Sequence, residues 1–362
     1  METVPTVRYY ARELRRRLAH YAEKRRHGFR DHGSLERAAD RILTARAERG
    51  LESGGHFHGV WPRDLCFAAA GLSAAGYDDV VAETGRWLVD QLSDVFFTDF
   101  HGGYNAATPA EGADTFPALV ILLAEAGRLR EHADAVADLA ARHRERFVDD
   151  ETGIVTGSGS SWWDSAAAPR EAYNTAMLLA AIERLDAAGL ETTFTGRAER
   201  VRDGLFRLWN GEYFDERRGS AVLACDANVV PLYFDLVDED RARSIAGALE
   251  GLETANGLRL RERPFALGEV RPFFLLHRDY HFHVWPWNSF AYANGLERYG
   301  LDDRARREVD RIERVMAPYG NFLEVLTLEG EPYVKRGYAS AEDFTVAAAL
   351  WVEYVEGARR EP

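Results

Sequence analysis

Lysine is nearly absent from this chain: across 362 residues only Lys24 and Lys335 occur, and arginine carries the rest of the basic charge. Positive charge is in deficit overall, with 45 Lys and Arg against 59 Asp and Glu and a net charge of −14. A nucleic-acid partner requires a basic footprint, so none is expected. Cysteine is scarce too. Cys66 and Cys225 stand alone, which is no disulfide framework in a chain of this size and fits two buried thiols in a reducing compartment. The start, METVPTVRYYARELRRR, lacks the apolar stretch of a secretory signal, and no run reaches the roughly 18 apolar residues of a membrane span. The expectation is a soluble cytoplasmic protein with no membrane partner. No Ser/Gly/Pro-rich linker divides the chain, so 1–362 reads as one catalytic domain, with 1–30 as an N-terminal helix packing on it.

What the chain does contain is helical periodicity. Val81, Gly85, Leu88, Leu92 and Val95 fall on one helix face, as do Ala305, Val309, Ile312 and Met316. The pattern predicts helices over 7–27, 35–48, 64–76, 79–95, 114–128, 131–147, 171–187, 195–209, 226–236, 238–249, 286–299, 302–317 and 340–356. Strand signals are few, and 211–223 and 321–336 are predicted as small β-hairpin excursions. Short turns join helices in pairs, whereas 49–63, 97–113, 148–170, 250–285 and 318–339 are long loops, the kind that carries function. That alternation predicts an all-α fold, an (α/α)6 barrel or six-hairpin toroid whose long loops open on one face.

Those loops collect aromatic, carboxylate and amide residues. One string is almost repeated: HFHGVWPRD at 56–64 and HFHVWPWNS at 281–289. Tryptophan beside acids and arginine suits a sugar, which offers flat C–H faces to indole and hydroxyls to polar groups. Arg63 and Asp64 are placed to grip adjacent hydroxyls, one donating and one accepting. Asp114 lies at a helix start, where capping is the alternative. Asp164 follows Trp162 and Trp163, and a carboxyl held against indole has its pKa raised, which suits a general acid. Glu324 lies in a loop between apolar residues, and Glu342 is placed at the start of the last helix, where it meets the helix dipole.

In order and spacing these stretches resemble the inverting (α/α)6-barrel glycoside hydrolases, in particular the amylo-α-1,6-glucosidase part of glycogen debranching enzymes. Glucoamylases, trehalases and processing α-glucosidases are more distant. The resemblance covers roughly residues 55 to 355. It implies that Trp61, Arg63 and Asp64, with Gly71 and Leu72, hold the terminal sugar. It implies that Trp162, Trp163 and Asp164 carry the general acid, and that Arg170, Glu171, Tyr173 and Asn174 form the helix start that follows. Val284, Trp285, Pro286 and Trp287 match the family's Val-Trp-Pro-Trp, and Glu324, ahead of Ser340 and Ala341, matches its catalytic base. Phe282 and His283 replace the usual Gly-Thr and alter the subsite; His283 joins the candidate substrate-binding residues. The family's N-terminal β-domain has no counterpart in this sequence.

The implied reaction is inverting hydrolysis of an α-linked glucoside. Asp164 protonates the glycosidic oxygen while Glu324 deprotonates a water on the opposite face, across roughly 6.5–9.5 Å. It calls for no cofactor and no metal, only an oligosaccharide or glucoside substrate. Three other readings use the same residues. His58 and His283 could act as the proton carriers of a sugar 2-epimerase on the same barrel. His56, His58, His281 and His283 form two His-x-His pairs with the spacing of metal ligands. A non-catalytic carbohydrate-binding protein would keep the pocket alone.

Overall fold

The computed structural model describes residues 6–49, 51–57, 59–92, 99–101, 104–106, 112–156 and 165–360. Thirteen α-helices form among them: α1 (Thr6–His27), α2 (Leu35–Arg49), α3 (Pro62–Ala74), α4 (Asp78–Leu92), α5 (Thr115–Glu125), α6 (Ala133–Phe147), α7 (Glu171–Ala187), α8 (Ala198–Phe206), α9 (Cys225–Tyr233), α10 (Glu239–Leu249), α11 (Pro286–Arg298), α12 (Asp302–Met316) and α13 (Thr345–Arg360). Each predicted helix overlaps one of these.

Helices α3, α5, α7, α9, α11 and α13 each pack on the next, and α13 returns to α3, closing a ring. Outside it, α4 packs on α3 and α5, α6 on α5, α8 on α7, α10 on α9 and α12 on α11, while α2 packs on α13. The result is the six-hairpin (α/α)6 barrel. Composition explains which helix goes where. An inner helix has neighbours on most sides and is largely enclosed: every residue from Cys225 to Tyr233 of α9 is buried, as is every residue from Thr115 to Leu123 of α5. An outer helix buries one stripe, in α12 Ala305, Glu308, Val309, Ile312 and Met316. The ring closes at Gly71 of α3, where an added Cβ would lie 1.8 Å from the Ala349 carbonyl oxygen of α13. Gly71 and the fully buried Leu72 thus belong to a helix seam in the barrel wall.

Among the described residues three two-stranded antiparallel hairpins interrupt the loops: β1 (Asp99–His101) with β2 (Tyr104–Ala106), β3 (Glu253–Thr254) with β4 (Gly257–Leu258), and β5 (Val334–Lys335) with β6 (Tyr338–Ala339). The hairpin predicted over 211–223 is reduced to the isolated bridges Trp209↔Phe214 and Arg217↔Ser220. The one predicted over 321–336 forms a few residues later, as β5–β6. None of the described helices is long and apolar enough to cross a membrane.

The predicted start of the last helix moves from 340 to Thr345, because Asp343 adopts a left-handed backbone with φ 51° that no helix can continue through. Residues 340–342 are therefore free of helical geometry and serve the site described next. Helix α1 stands outside the twelve barrel helices and packs on β5 and β6.

Candidate active site

The two copies of Val-Trp-Pro turn the chain in the same way. Trp61 (φ −101°, ψ 109°) and Trp285 (φ −112°, ψ 111°) are both extended and both precede a proline at the first position of an inner helix. Proline restricts the residue before it to extended backbone and itself suits a helix start. The residues ahead of these turns differ: Phe57 lies at the Gly54↔Phe57 bridge, whereas Tyr280–Phe282 form a 3-10 turn. The repeat is thus one of local geometry at the helix start.

Both turns open on a single pocket. Trp61, Arg63 and Asp64 of the α3 start line it, with Tyr280, His281, Trp285 and Trp287 of the α11 approach, Phe344 ahead of α13, Glu324 and Tyr338, Phe57, Phe274 and His277, and Arg17 of α1. The pocket lies where the inner helices begin. Trp285 and Trp287 are 6.0 Å apart between ring centroids, and the Arg63 guanidinium lies 5.6 Å from the centre of Trp61. The buried Trp61 Nε1 finds no acceptor among the described residues.

Glu324 is 2% exposed and held from several sides. The Tyr280 hydroxyl donates to Oε1, the Tyr338 hydroxyl lies 2.8 Å from Oε2, and the Ala341 N–H donates to Oε2 at 3.0 Å. Burial pushes the carboxyl up, and the hydroxyl and amide donors pull it part of the way back, leaving a pKa of about 7. Burial and the neighbouring carboxylate raise both tyrosines well above their ordinary range, so they remain donors. A carboxylate with this pKa can accept a proton from water near neutrality.

Beside it, Arg63 Nε donates to Asp64 Oδ1 at 3.3 Å, and Arg63 Nη1 lies 4.0 Å from Asp114 Oδ2. Asp64 sits in the first turn of α3, and Asp114 occupies the N-cap position of α5 without making a side-chain cap bond. Asp114 Oδ2 instead accepts the Tyr173 hydroxyl of α7 at 3.0 Å. One chain of contacts therefore ties together the starts of α3, α5 and α7.

The remaining candidates are placed as follows. Arg170 is buried away from the pocket lining, its guanidinium bonded to both oxygens of Asp226 at 2.8 and 2.7 Å and to Glu216 Oε2 at 2.5 Å. Arg261 completes this network on Glu216. Glu171 pairs with Arg218, and Asn174 is fully buried with no partner for its amide among the described residues. His283 Nε2 lies 3.7 Å from Asp279 Oδ2 and its ring packs on Tyr333, outside the lining. Asp164, Trp162, Trp163 and His58 lie outside the described residues. Ser165 lies inside them, its hydroxyl 3.2 Å from Nε2 of the pocket residue His281. Among the described residues no three His, Cys, Asp or Glu side chains cluster as metal ligands. The lining includes residues given no role from the sequence, above all Arg17, Tyr280 and Tyr338. The signal for the tyrosines was adjacency, Tyr280 to the repeated string and Tyr338 to Ser340-Ala341; Arg17 had none.

No family model and no curated protein matches this sequence. Solved structures do. A GH63 mannosylglycerate hydrolase from Thermus thermophilus, in complex with Tris and D-glycerate, is 17% identical with a TM-score of 0.64, over 89% of this chain and 100% of that one. A rhamnosidase from Klebsiella oxytoca with rhamnose bound is 13% identical with a TM-score of 0.65, over 90% of this chain and 64% of that one. A wild-type glycosidase is 17% identical with a TM-score of 0.64, over 95% and 98%. The fold is that of the helical-barrel glycoside hydrolases.

Proposed function

We propose that the chain is a glycoside hydrolase that cleaves an α-linked glucoside with inversion, with Glu324 as general base and Asp164 as general acid. The observation that carries this reading is Glu324: a buried carboxylate aimed at an indole-lined pocket, fixed by two hydroxyls and an amide, with a pKa of about 7. Trp61, Trp285 and Trp287 wall the sugar, while Arg63 and Asp64 bind its hydroxyls. Ser165, next in the chain to Asp164, touches the pocket residue His281. Water between the two carboxyls would give its proton to Glu324 as it attacks the anomeric carbon, and the leaving oxygen would take the proton of Asp164.

A panel of α-linked glucosides, with the anomer of the released sugar followed by NMR, tests the proposal. First release of the β-anomer is expected. Release of the α-anomer rejects inversion, and no release from any member rejects the glucoside assignment.

One observation favours an acidic aglycone within this class. The Arg17 guanidinium lines the pocket, 4.9 Å from the centre of Phe274 and 5.4 Å from that of Tyr338. The panel therefore pairs a carboxylate-bearing glucoside with its neutral analogue, and Arg17→Met is expected to raise KM about tenfold for the acidic member alone.

A further inference from the structure

Lys24, one of the chain's two lysines, is buried rather than displayed. Its Nζ lies 2.5 Å from Glu342 Oε1 and 3.1 Å from Glu23 Oε1, while Glu342 Oε2 accepts the Arg30 N–H at 2.7 Å. One turn earlier in α1, His20 Nε2 donates to the Ser340 carbonyl at 3.0 Å. Between these anchors sits Ala341. Its N–H bonds Glu324 Oε2, and its carbonyl accepts the Glu324 N–H at 2.9 Å. The segment's far side rests on a turn with no room for side chains: an added Cβ on Gly55 would lie 2.7 Å from Ala341 Cβ, and one on Gly54 2.1 Å from the Asp343 carbonyl oxygen. Residues 340–343 are thus gripped between α1 and Gly54-Gly55. Neither His20 nor Lys24 lines the pocket.

We propose that His20 and Lys24 are positioning residues: through them α1 sets the Ala341 amide against Glu324 and so fixes the orientation and basicity of the catalytic carboxylate. This rests on Glu324 being the base. Amide hydrogen bonds weaken steeply with displacement, so a small slip of the segment frees the carboxylate to turn and leaves it less stabilised as an anion. Lysine suits the task in an arginine-rich chain because a compact point charge fits where a planar guanidinium would not. Glu324 also faces the Tyr280 and Tyr338 hydroxyls and, at longer range, Arg17, all of which remain in the variants below.

The test uses full-length His20→Leu, which removes the donor, His20→Gln, which keeps one, and Lys24→Met/Glu342→Gln, which removes the pair without stranding a charge. Burial lowers the His20 pKa, so above pH 7 the leucine variant leaves the charge unchanged. The first readout is infrared titration of the carboxyl band that Glu324→Gln abolishes; the second is kcat and KM on whichever glucoside the parent hydrolyses. His20→Leu and the double variant are expected to raise the Glu324 midpoint by about one unit and lower kcat about tenfold with KM little changed, and His20→Gln to restore both. An unchanged midpoint and kcat in folded His20→Leu, even with a lower melting temperature, overturns the proposal, as does a His20→Gln that behaves like His20→Leu. Should the midpoint move while Glu324→Gln stays fully active, the tether stands and the base assignment is what fails.

Discussion

Glu324 shows how one side chain is tuned by opposing forces. Burial alone would leave its carboxyl protonated at neutral pH, and the two tyrosine hydroxyls and the Ala341 amide bring it back to about 7. As the proposed base it must be ionised, so kcat/KM should rise with pH on an acid limb centred near 7, measurable across a buffer series. Tyr338→Phe removes a donor to the anion and should move that limb up by about one unit. Glu324→Gln and Asp164→Asn should each lower kcat about 10³-fold with the circular-dichroism spectrum unchanged. Stability carries the opposite sign. The folded pKa lies above the ordinary 4.5, so between those values the native state holds the proton that the unfolded chain has lost, and stability falls as pH rises through the window. Relative to the parent, Glu324→Gln should gain ~3 kcal/mol on going from pH 4 to pH 8, read by urea denaturation at both.

Elements are assigned to ring or rim by how much of their surface is apolar. α5 and α9 have no polar face to offer water and must be enclosed, while α12 has one stripe and can only lie outside. The inner helices then meet closely enough that single atoms matter. Gly71→Ala forces a methyl into the Ala349 carbonyl at the α3–α13 seam and should cost ~3 kcal/mol, seen as a lower urea midpoint with unchanged slope. The two Trp-Pro turns belong to this scale as well: each stops an extended approach and starts a helix with an indole facing the pocket.

Across the whole molecule, closure joins distant parts of the chain. α2 and α3, from the first quarter, pack on α13, the last helix. Between neighbouring hairpins the buried network of Arg170, Asp226, Glu216 and Arg261 ties the starts of α7 and α9 to the loop after β4. Burial pushes Glu216 up, but the two guanidiniums outweigh it and hold its pKa at about 2. That contribution is therefore present above the ordinary carboxylate value and lost as pH falls toward 2. Arg170→Met would strand the buried Asp226 carboxylate and take from Glu216 one of its two guanidinium partners, and should cost ~3–5 kcal/mol at neutral pH, measured by denaturation. Its effect is expected on stability first, since the guanidinium is committed to these partners and lies off the pocket lining.

The sequence by itself determined the helices and their alternation, because apolar periodicity and loop length are local properties that each segment carries alone. It also marked Trp61, Arg63, Asp64, Trp285, Trp287 and Glu324, residues whose types and order are unusual enough to stand out; the structure brings these six to one pocket. Tertiary structure decided what no local pattern encodes. Arg170 and Arg63 look alike in sequence, yet one is enclosed by two carboxylates and the other lines the pocket. Glu342, read as a helix-dipole residue, precedes its helix and pairs with Lys24 more than three hundred positions away. Arg17, Tyr280 and Tyr338 gain their roles only when α1, the α11 approach and the β5–β6 hairpin meet around Glu324. The reason is physical: a side chain's partners, and hence its charge state and chemistry, are set by groups that folding brings within a few ångströms, whatever their separation along the chain.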